Sequence, residues 1–235
     1  MAKDRYLELK REAYEANMEL PALGLVLYTF GNVSTLDKKR GVFAIKPSGV
    51  AYGELKAGQM VVLDLDGKVV EGKLKPSSDT RTHLGLYRAF EGLGGVAHTH
   101  SLHAVAWAQA MREIPVFGTT HADHLTRSVP CTAVMSPAMI RGDYETETGN
   151  QIIQCFKDQS IKSDEVEMVL VANHGPFTWG KTAAKAVYNS RVLEELARQA
   201  VLTLQINPAT PPLGAALLEK HYRRKHGKDA YYGQP

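Results

Sequence analysis

The sequence predicts an α/β/α fold: three layers with a central, largely antiparallel sheet. Strand-like and helix-like segments interleave along the chain, which calls for helices laid against a sheet. A hairpin signal, Asp66-Gly67 between the apolar runs 60–65 and 69–71, sits among them and demands antiparallel pairing. No regular strand–helix repeat occurs, Gly92, Gly94 and Gly95 do not have G-x-G-x-x-G spacing, and no P-loop is present, so a doubly wound nucleotide fold is disfavoured. No internal repeat or long linker divides the chain, and one domain over residues 1–235 is expected.

The elements follow in order. Residues 3–19 carry Tyr6, Leu7, Leu9, Ala13 and Tyr14 among charges, an amphipathic helix that ends before Pro21. Residues 26–30 read as a strand that turns at Gly31-Asn32, and residues 42–46 as another, closed by Pro47-Ser48-Gly49. After Lys75-Pro76-Ser77-Ser78-Asp79 a helix is expected to about Phe90, with Ser78 or Asp79 as its cap. The apolar approach Gly94-Gly95-Val96-Ala97 leads into His98-Thr99-His100, and a helix over 102–111 follows. Residues 118–124 read as a polar loop, and helices fit 146–158, 182–205 and 213–226. Between the first two of these, residues 168–172 form an apolar strand that ends at Asn173-His174-Gly175.

Bulk composition is that of a soluble globular chain: 44% hydrophobic, 23% charged, net charge +3. Such a small charge argues against a nucleic-acid partner and is compatible with a small anionic substrate. Cys131 and Cys155 lack redox or metal spacing and read as buried thiols of a reducing compartment. The charged N-terminus has no signal core, and no apolar run is long enough to span a bilayer, so a cytoplasmic protein without membrane contact is expected.

The chemistry centres on histidine. In a strand, His98 and His100 point to one face, which makes half of a zinc site or simply two polar residues where a strand surfaces. His174, at the end of an apolar strand, either caps that strand or supplies a third imidazole. Three neutral imidazoles would leave a coordination position open for substrate. Asp79, after Ser77-Ser78 at a helix start, is either a plain N-cap or a carboxylate beside an anion site at the helix N-terminus. Gly31-Asn32 and Lys46-Pro47-Ser48-Gly49 are further ligand-binding loops. Three such loops suggest a phosphate or polyol. Asp123 in its Thr- and His-rich loop is either a turn residue or functional. Tyr231-Tyr232 close to the end, and the basic run around His221, belong to a solvated tail and helix unless they dock on a site.

These segments, in this order, resemble the class II aldolase/adducin family. The resemblance spans nearly the whole chain: Gly31-Asn32-Val33-Ser34, Lys46-Pro47-Ser48-Gly49-Val50, Lys75-Pro76-Ser77-Ser78-Asp79-Thr80, His98-Thr99-His100-Ser101, Gly118-Thr119-Thr120-His121-Ala122-Asp123, His174-Gly175-Pro176-Phe177, and Lys225-His226-Gly227 through Tyr231-Tyr232-Gly233-Gln234. It implies one zinc per subunit on His98, His100 and His174, with Asp79 on or beside it. Manganese or cobalt can substitute on such donors. It implies phosphate contacts from Gly31, Asn32, Ser48, Gly49, Ser77 and Ser78, with Lys46, Glu145 and His221 also at the site. It implies a homotetramer with sites between subunits, Asp123 and Tyr232 coming from the neighbour as acid–base groups. The expected reaction is epimerisation of a ketopentose 5-phosphate by cleavage and re-formation of C3–C4, with arabinose catabolism as its setting. The alternatives are a class II sugar-phosphate aldolase of the L-fuculose-phosphate type, which would carry glutamate at position 79, and a non-catalytic adducin-like module, which would not keep three histidines. Phe30 departs from the family's tryptophan at that place, a change of packing.

Overall fold

A computed structural model of the chain describes residues 5–228 and 230–232. Its apolar segments pair into one seven-stranded sheet: β1 (Asn32–Asp37), β2 (Val42–Ile45), β3 (Val61–Asp64), β4 (Val69–Glu71), β5 (Gly95–His98), β6 (Met168–Val171) and β7 (Gly175–Gly180). The order is β4-β3-β2-β1-β5-β7-β6, and each neighbouring pair is antiparallel. Among the described residues eight helices surround it: α1 (Leu7–Ala22), α2 (Thr80–Ala89), α3 (Leu102–Gln109), α4 (Thr119–Ala122), α5 (Pro137–Arg141), α6 (Tyr144–Asp158), α7 (Ala183–Ile206) and α8 (Ala215–His226).

Strand side chains alternate faces, and the central strands are buried on both. Val42 and Ala44 of β2 and Val62 of β3 meet Leu9 and Ala13 of α1, while Val33 of β1 and Ala97 of β5 meet Ala183, Ala186 and Val187 of α7. On the opposite face Phe43, Ile45, Val61, Leu63, Val96 and Trp179 pack with Leu84 and Tyr87 of α2 and with Ile152 and Phe156 of α6. The expected three-layer antiparallel architecture is therefore present. Gly95 permits the tight stacking of β5 on α7, since a Cβ there would lie 2.3 Å from Ala183 Cα.

Several local expectations are corrected. Residues 26–30 are not a strand: Tyr28 has φ +52° and, with Leu27 and Phe30, is exposed, so the aromatic run serves a surface loop. The first helix runs through Pro21 to Ala22 instead of stopping before it. A proline ring so near the end of a helix disturbs little of the ladder. Residues 118–124 contain the one-turn helix α4 in place of a loop, β1 starts at Asn32 where a turn was expected, and α5 and β7 were not foreseen. β7 was hidden because Gly175-Pro176 reads as a turn. The actual turn lies earlier, at Asn173 with φ +61°. Lys3 and Asp4 of the expected first helix, and Asp229, Gly233 and Gln234 of the tail, lie outside the described residues. Both thiols are unpaired, Cys155 buried and Cys131 half-buried. Among the described residues no helix is long and apolar enough to cross a membrane.

Burial in α4 has a consequence for stability. His121 is buried, its Nε2 3.1 Å from the Arg127 carbonyl, and desolvation takes its pKa from 6.5 to about 4. Between about pH 6.5 and 4 the unfolded chain binds a proton that the folded chain refuses. Stability from this residue is complete above that window and is lost as pH falls through it, by about 3 kcal/mol at most. Denaturant titrations of the metal-free protein across this range should show the decline, and His121→Gln should reduce it by this residue's share.

Candidate active site

One edge of the sheet gathers the chemistry. β1 begins there with Asn32, β2 ends there before Lys46, β5 ends there with His98, and the β6–β7 turn delivers His174. The N-terminus of α2 brings Asp79 to the same place. Gly31, at φ +83°, is required where the backbone crosses β5: a Cβ there would lie 2.9 Å from the His98 carbonyl oxygen.

The three histidines converge. Their ligand nitrogens all lie within 4.8 Å of one another, and among the described residues they are the group of such donors fit to hold an ion. His100 lies just past the end of β5, not in the strand as the alternation argument assumed, yet its Nε2 is 3.0 Å from His98 Nε2. Two ring nitrogens this close need a proton or a cation between them. His98 Nδ1–H donates to the Pro176 carbonyl at 2.9 Å, which turns Nε2 and its lone pair toward the site, and Phe177 stacks on the ring at 4.2 Å. Such an anchor on the second ring nitrogen is how metal-binding histidines are oriented. Burial, with the neighbouring His98 adding to it, lowers the His174 pKa to about 3, and burial lowers that of His100 as well. Neutral imidazoles are the form a metal takes. Three imidazole nitrogens around a shared point thus fit a divalent ion with an open position.

Asp79 stands at the N-cap of α2 but makes no capping hydrogen bond. Its Oδ2 instead accepts from Asn32 Nδ2 at 2.6 Å. Burial alone would raise its pKa; nearby His98 and His83 and the Asn32 bond bring it below the ordinary carboxylate value. The carboxylate lies beside the imidazole cluster and is not part of it.

The two serine loops lie side by side. Ser48 N–H donates to the Lys75 carbonyl at 2.9 Å, and Ser77 N–H to the Lys46 carbonyl at 3.0 Å. Tyr52 Oη–H donates to the Gly31 carbonyl at 3.0 Å, tying in the third loop. Lys46 is buried, 2% exposed; its Nζ lies 5.0 Å over the Tyr52 ring and 3.5 Å from the Pro47 carbonyl. Burial lowers its pKa. No carboxylate pairs with it among the described residues. A cation kept from water without a counterion is a strong anion receptor.

All of these groups line one cavity of about 370 Å³: Gly31, Asn32, Lys46, Ser48, Gly49, Ser77, Ser78, Asp79, His98, His100, Glu145 and His174, together with Phe30 and Tyr144. The Phe30 ring is 5.9 Å from that of His100. Tyr144, whose Oη is 3.3 Å from His174 Nδ1, escaped the sequence reading because nothing marks it apart from other helix-start residues. His83 and Phe177 were missed for the same reason: each has the spacing of ordinary interior residues.

Asp123, His221 and Tyr232 are not in this cavity. They form a cluster of their own with α8. Arg224 donates to both Asp123 oxygens, at 2.9 and 2.6 Å, His221 Nδ1 lies 2.9 Å from Oδ1, and Lys225 Nζ 3.5 Å from Oδ2. Burial would raise the Asp123 pKa, but the Arg224 and His221 hydrogen bonds and the Lys225 charge bring it to about 2. Arg224 and Lys225 sit over the Tyr232 ring at 4.8 and 4.5 Å.

Residues 11–201 match the model of the Class II Aldolase and Adducin N-terminal domain. The L-ribulose-5-phosphate 4-epimerase UlaF of Salmonella paratyphi B is 52% identical over 227 residues, covering 97% of this chain and 99% of that relative. Among solved structures, an L-fuculose 1-phosphate aldolase superposes with a TM-score of 0.77 at 23% identity, over 95% of this chain and 97% of the other. The L-fuculose-1-phosphate aldolase of Thermus thermophilus gives 0.66 at 23% identity, over 87% and 98%.

Proposed function

The chain belongs to the class II aldolase and adducin family, and we propose that it is a zinc-dependent L-ribulose-5-phosphate 4-epimerase. The observation that carries this reading is the joining, in one cavity, of three convergent imidazoles with a buried, uncompensated lysine between paired serine loops. The first feature suits a sugar's vicinal oxygens and the second a phosphate. Aspartate at position 79, where the family's aldolases carry glutamate, favours the epimerase.

L-ribulose 5-phosphate and D-xylulose 5-phosphate differ at C4, whose hydrogen is not acidic. Inversion therefore proceeds by removing the C4 hydroxyl proton, moving the C3–C4 electron pair into a C2–C3 enediolate, and forming glycolaldehyde phosphate. The aldehyde turns its other face, the enediolate carbon re-forms the C3–C4 bond, and the C4 oxygen regains a proton. Zinc on His98, His100 and His174 supplies Lewis acidity for the charge that gathers on C2 and C3 oxygens. Lys46, Ser48, Gly49, Ser77 and Ser78 hold the phosphate, so the aldehyde fragment rotates without leaving. The N-terminus of α2 adds a favourable dipole. Asp79, held by Asn32, sits beside the reacting oxygens.

Inversion needs a proton-handling group on each face of C4. Asp123 and Tyr232 fill these roles in a homotetramer in which the α8 cluster of one subunit, with His221, completes the cavity of the next. Support comes from their absence from their own chain's cavity and from the firm placement of Asp123 by Arg224 and His221.

The test is turnover of L-ribulose 5-phosphate with and without a chelator, with every product identified. Chelator-sensitive D-xylulose 5-phosphate without free fragments is expected. Free dihydroxyacetone or glycolaldehyde phosphate would make the protein an aldolase instead. Replacing Lys46 by methionine should raise KM for the phosphorylated sugar about 10- to 100-fold, the worth of one charge-assisted hydrogen bond. A KM unchanged in steady-state assays would remove the lysine from the phosphate site.

A further inference from the structure

Next to the Asn32–Asp79 pair runs a buried relay that the proposed reaction does not use. His83 follows Asp79 by one turn of α2, and residues four apart share a helix face. Asn32 and Ser34, two apart on β1, share a strand face. The two faces meet pairwise: Asn32 Nδ2 donates to Asp79 Oδ2 at 2.6 Å, and Ser34 Oγ lies 2.7 Å from His83 Nδ1. Ser34 Oγ also lies 2.8 Å from Tyr87 Oη. His83 and Ser34 are fully buried and Tyr87 is 8% exposed.

One assignment of hydrogens leaves neither hydroxyl idle: the buried Tyr87 hydroxyl donates to Ser34 Oγ and the Ser34 hydroxyl to the lone pair of His83 Nδ1, with the His83 proton on Nε2. Among the described residues that Nε2 has no hydrogen-bond partner, and neither has Asn32 Oδ1, which is equally buried. Both unpartnered atoms belong to side chains that act on Asp79, Asn32 through its hydrogen bond and His83 through its charge. A single internal water between them would satisfy both.

We propose that His83 is a positioning residue for the active site: through one internal water its Nε2–H holds Asn32 Oδ1, which keeps the Asn32 amide nitrogen turned to Asp79. Without that hold the Asn32 side chain is less firmly oriented, and Asp79 loses part of its seat beside the imidazole cluster. Tyr87 and Ser34 act only by setting the tautomer of His83. This inference deepens the epimerase reading and rests on it for its kinetic test.

Three measurements decide the matter. Nitrogen-15 NMR of the resting protein should show His83 as the Nε2–H tautomer; the Nδ1–H form would overturn the relay. His83→Leu should lower kcat about 10- to 100-fold, the usual cost of losing an outer partner of a metal site, with KM and metal content unchanged. His83→Gln, which keeps an N–H near the Nε2 position, should recover most of that loss. An unchanged kcat in the leucine variant, or equal losses in both variants, would overturn the positioning role. If the wild-type protein turns over no ketopentose phosphate, the epimerase reading fails by itself and the crystal structure of His83→Leu decides for His83. Loss of the Asn32–Asp79 contact upholds the inference, and its persistence at 2.6 Å overturns it.

Discussion

Replacing His98 by alanine is expected to strip the protein of its metal and lower turnover by at least about a thousandfold, the several kcal/mol that a Lewis acid contributes to such a step. The expectation follows from how this ring is held. It is the most buried of the three imidazoles, its Nδ1 is tied to the Pro176 carbonyl, and Phe177 covers one face. His100 is the most exposed of the three, and the side-chain hydrogen-bond partner of His174 outside the triad is Tyr144 at 3.3 Å. Two loosely held ligands would not keep an ion that three can. Metal content by mass spectrometry and kcat should fall together. His103, whose Nδ1 is engaged by Glu194 at 2.7 Å, is the control: its alanine variant should keep the metal. One metal per chain retained without His98 would displace the triad as the binding site.

Replacing Tyr232 by phenylalanine should leave metal content and melting temperature as they were and cut epimerisation about 10²- to 10⁴-fold, the range for a lost acid–base group. Phenylalanine keeps the ring under Arg224 and Lys225, so only the hydroxyl is removed. The assay should follow both directions. With one face of C4 deprived of its proton carrier, cleavage can persist while closure to the other isomer fails, and glycolaldehyde phosphate then appears as a free product. Turnover within about twofold of the wild type would dismiss Tyr232 from the chemistry.

How much of this was legible beforehand depends on the kind of signal. Helices α2, α6, α7 and α8 repeat apolar residues at helical spacing, and their predicted bounds fall within a few residues of those observed. The β3–β4 hairpin announces itself by Asp66-Gly67, with Gly67 at φ +85°. Residues 26–30 misled because aromatic and branched residues favour strands, whereas here they are spent on an exposed loop. For the site, the ligand types and their order along the chain named most of the residues that line the cavity. They did not reveal that Asp79 forgoes its capping bond for Asn32, because capping and ligand binding use the same residues. Nor could spacing expose Tyr144 or His83. Their roles come from which atoms are left without partners after the chain has folded.

The separation of Asp123 and Tyr232 from the histidine cavity of their own chain has a genetic meaning. In the proposed tetramer, a lesion in His98 and a lesion in Tyr232 damage different contributors to each catalytic centre. Two inactive proteins, co-expressed and free to exchange subunits, would rebuild roughly a quarter of the centres intact, wherever a sound histidine half meets a sound tyrosine half. Alleles of this gene should therefore sort into two complementation groups, divided by the half-site that each one breaks.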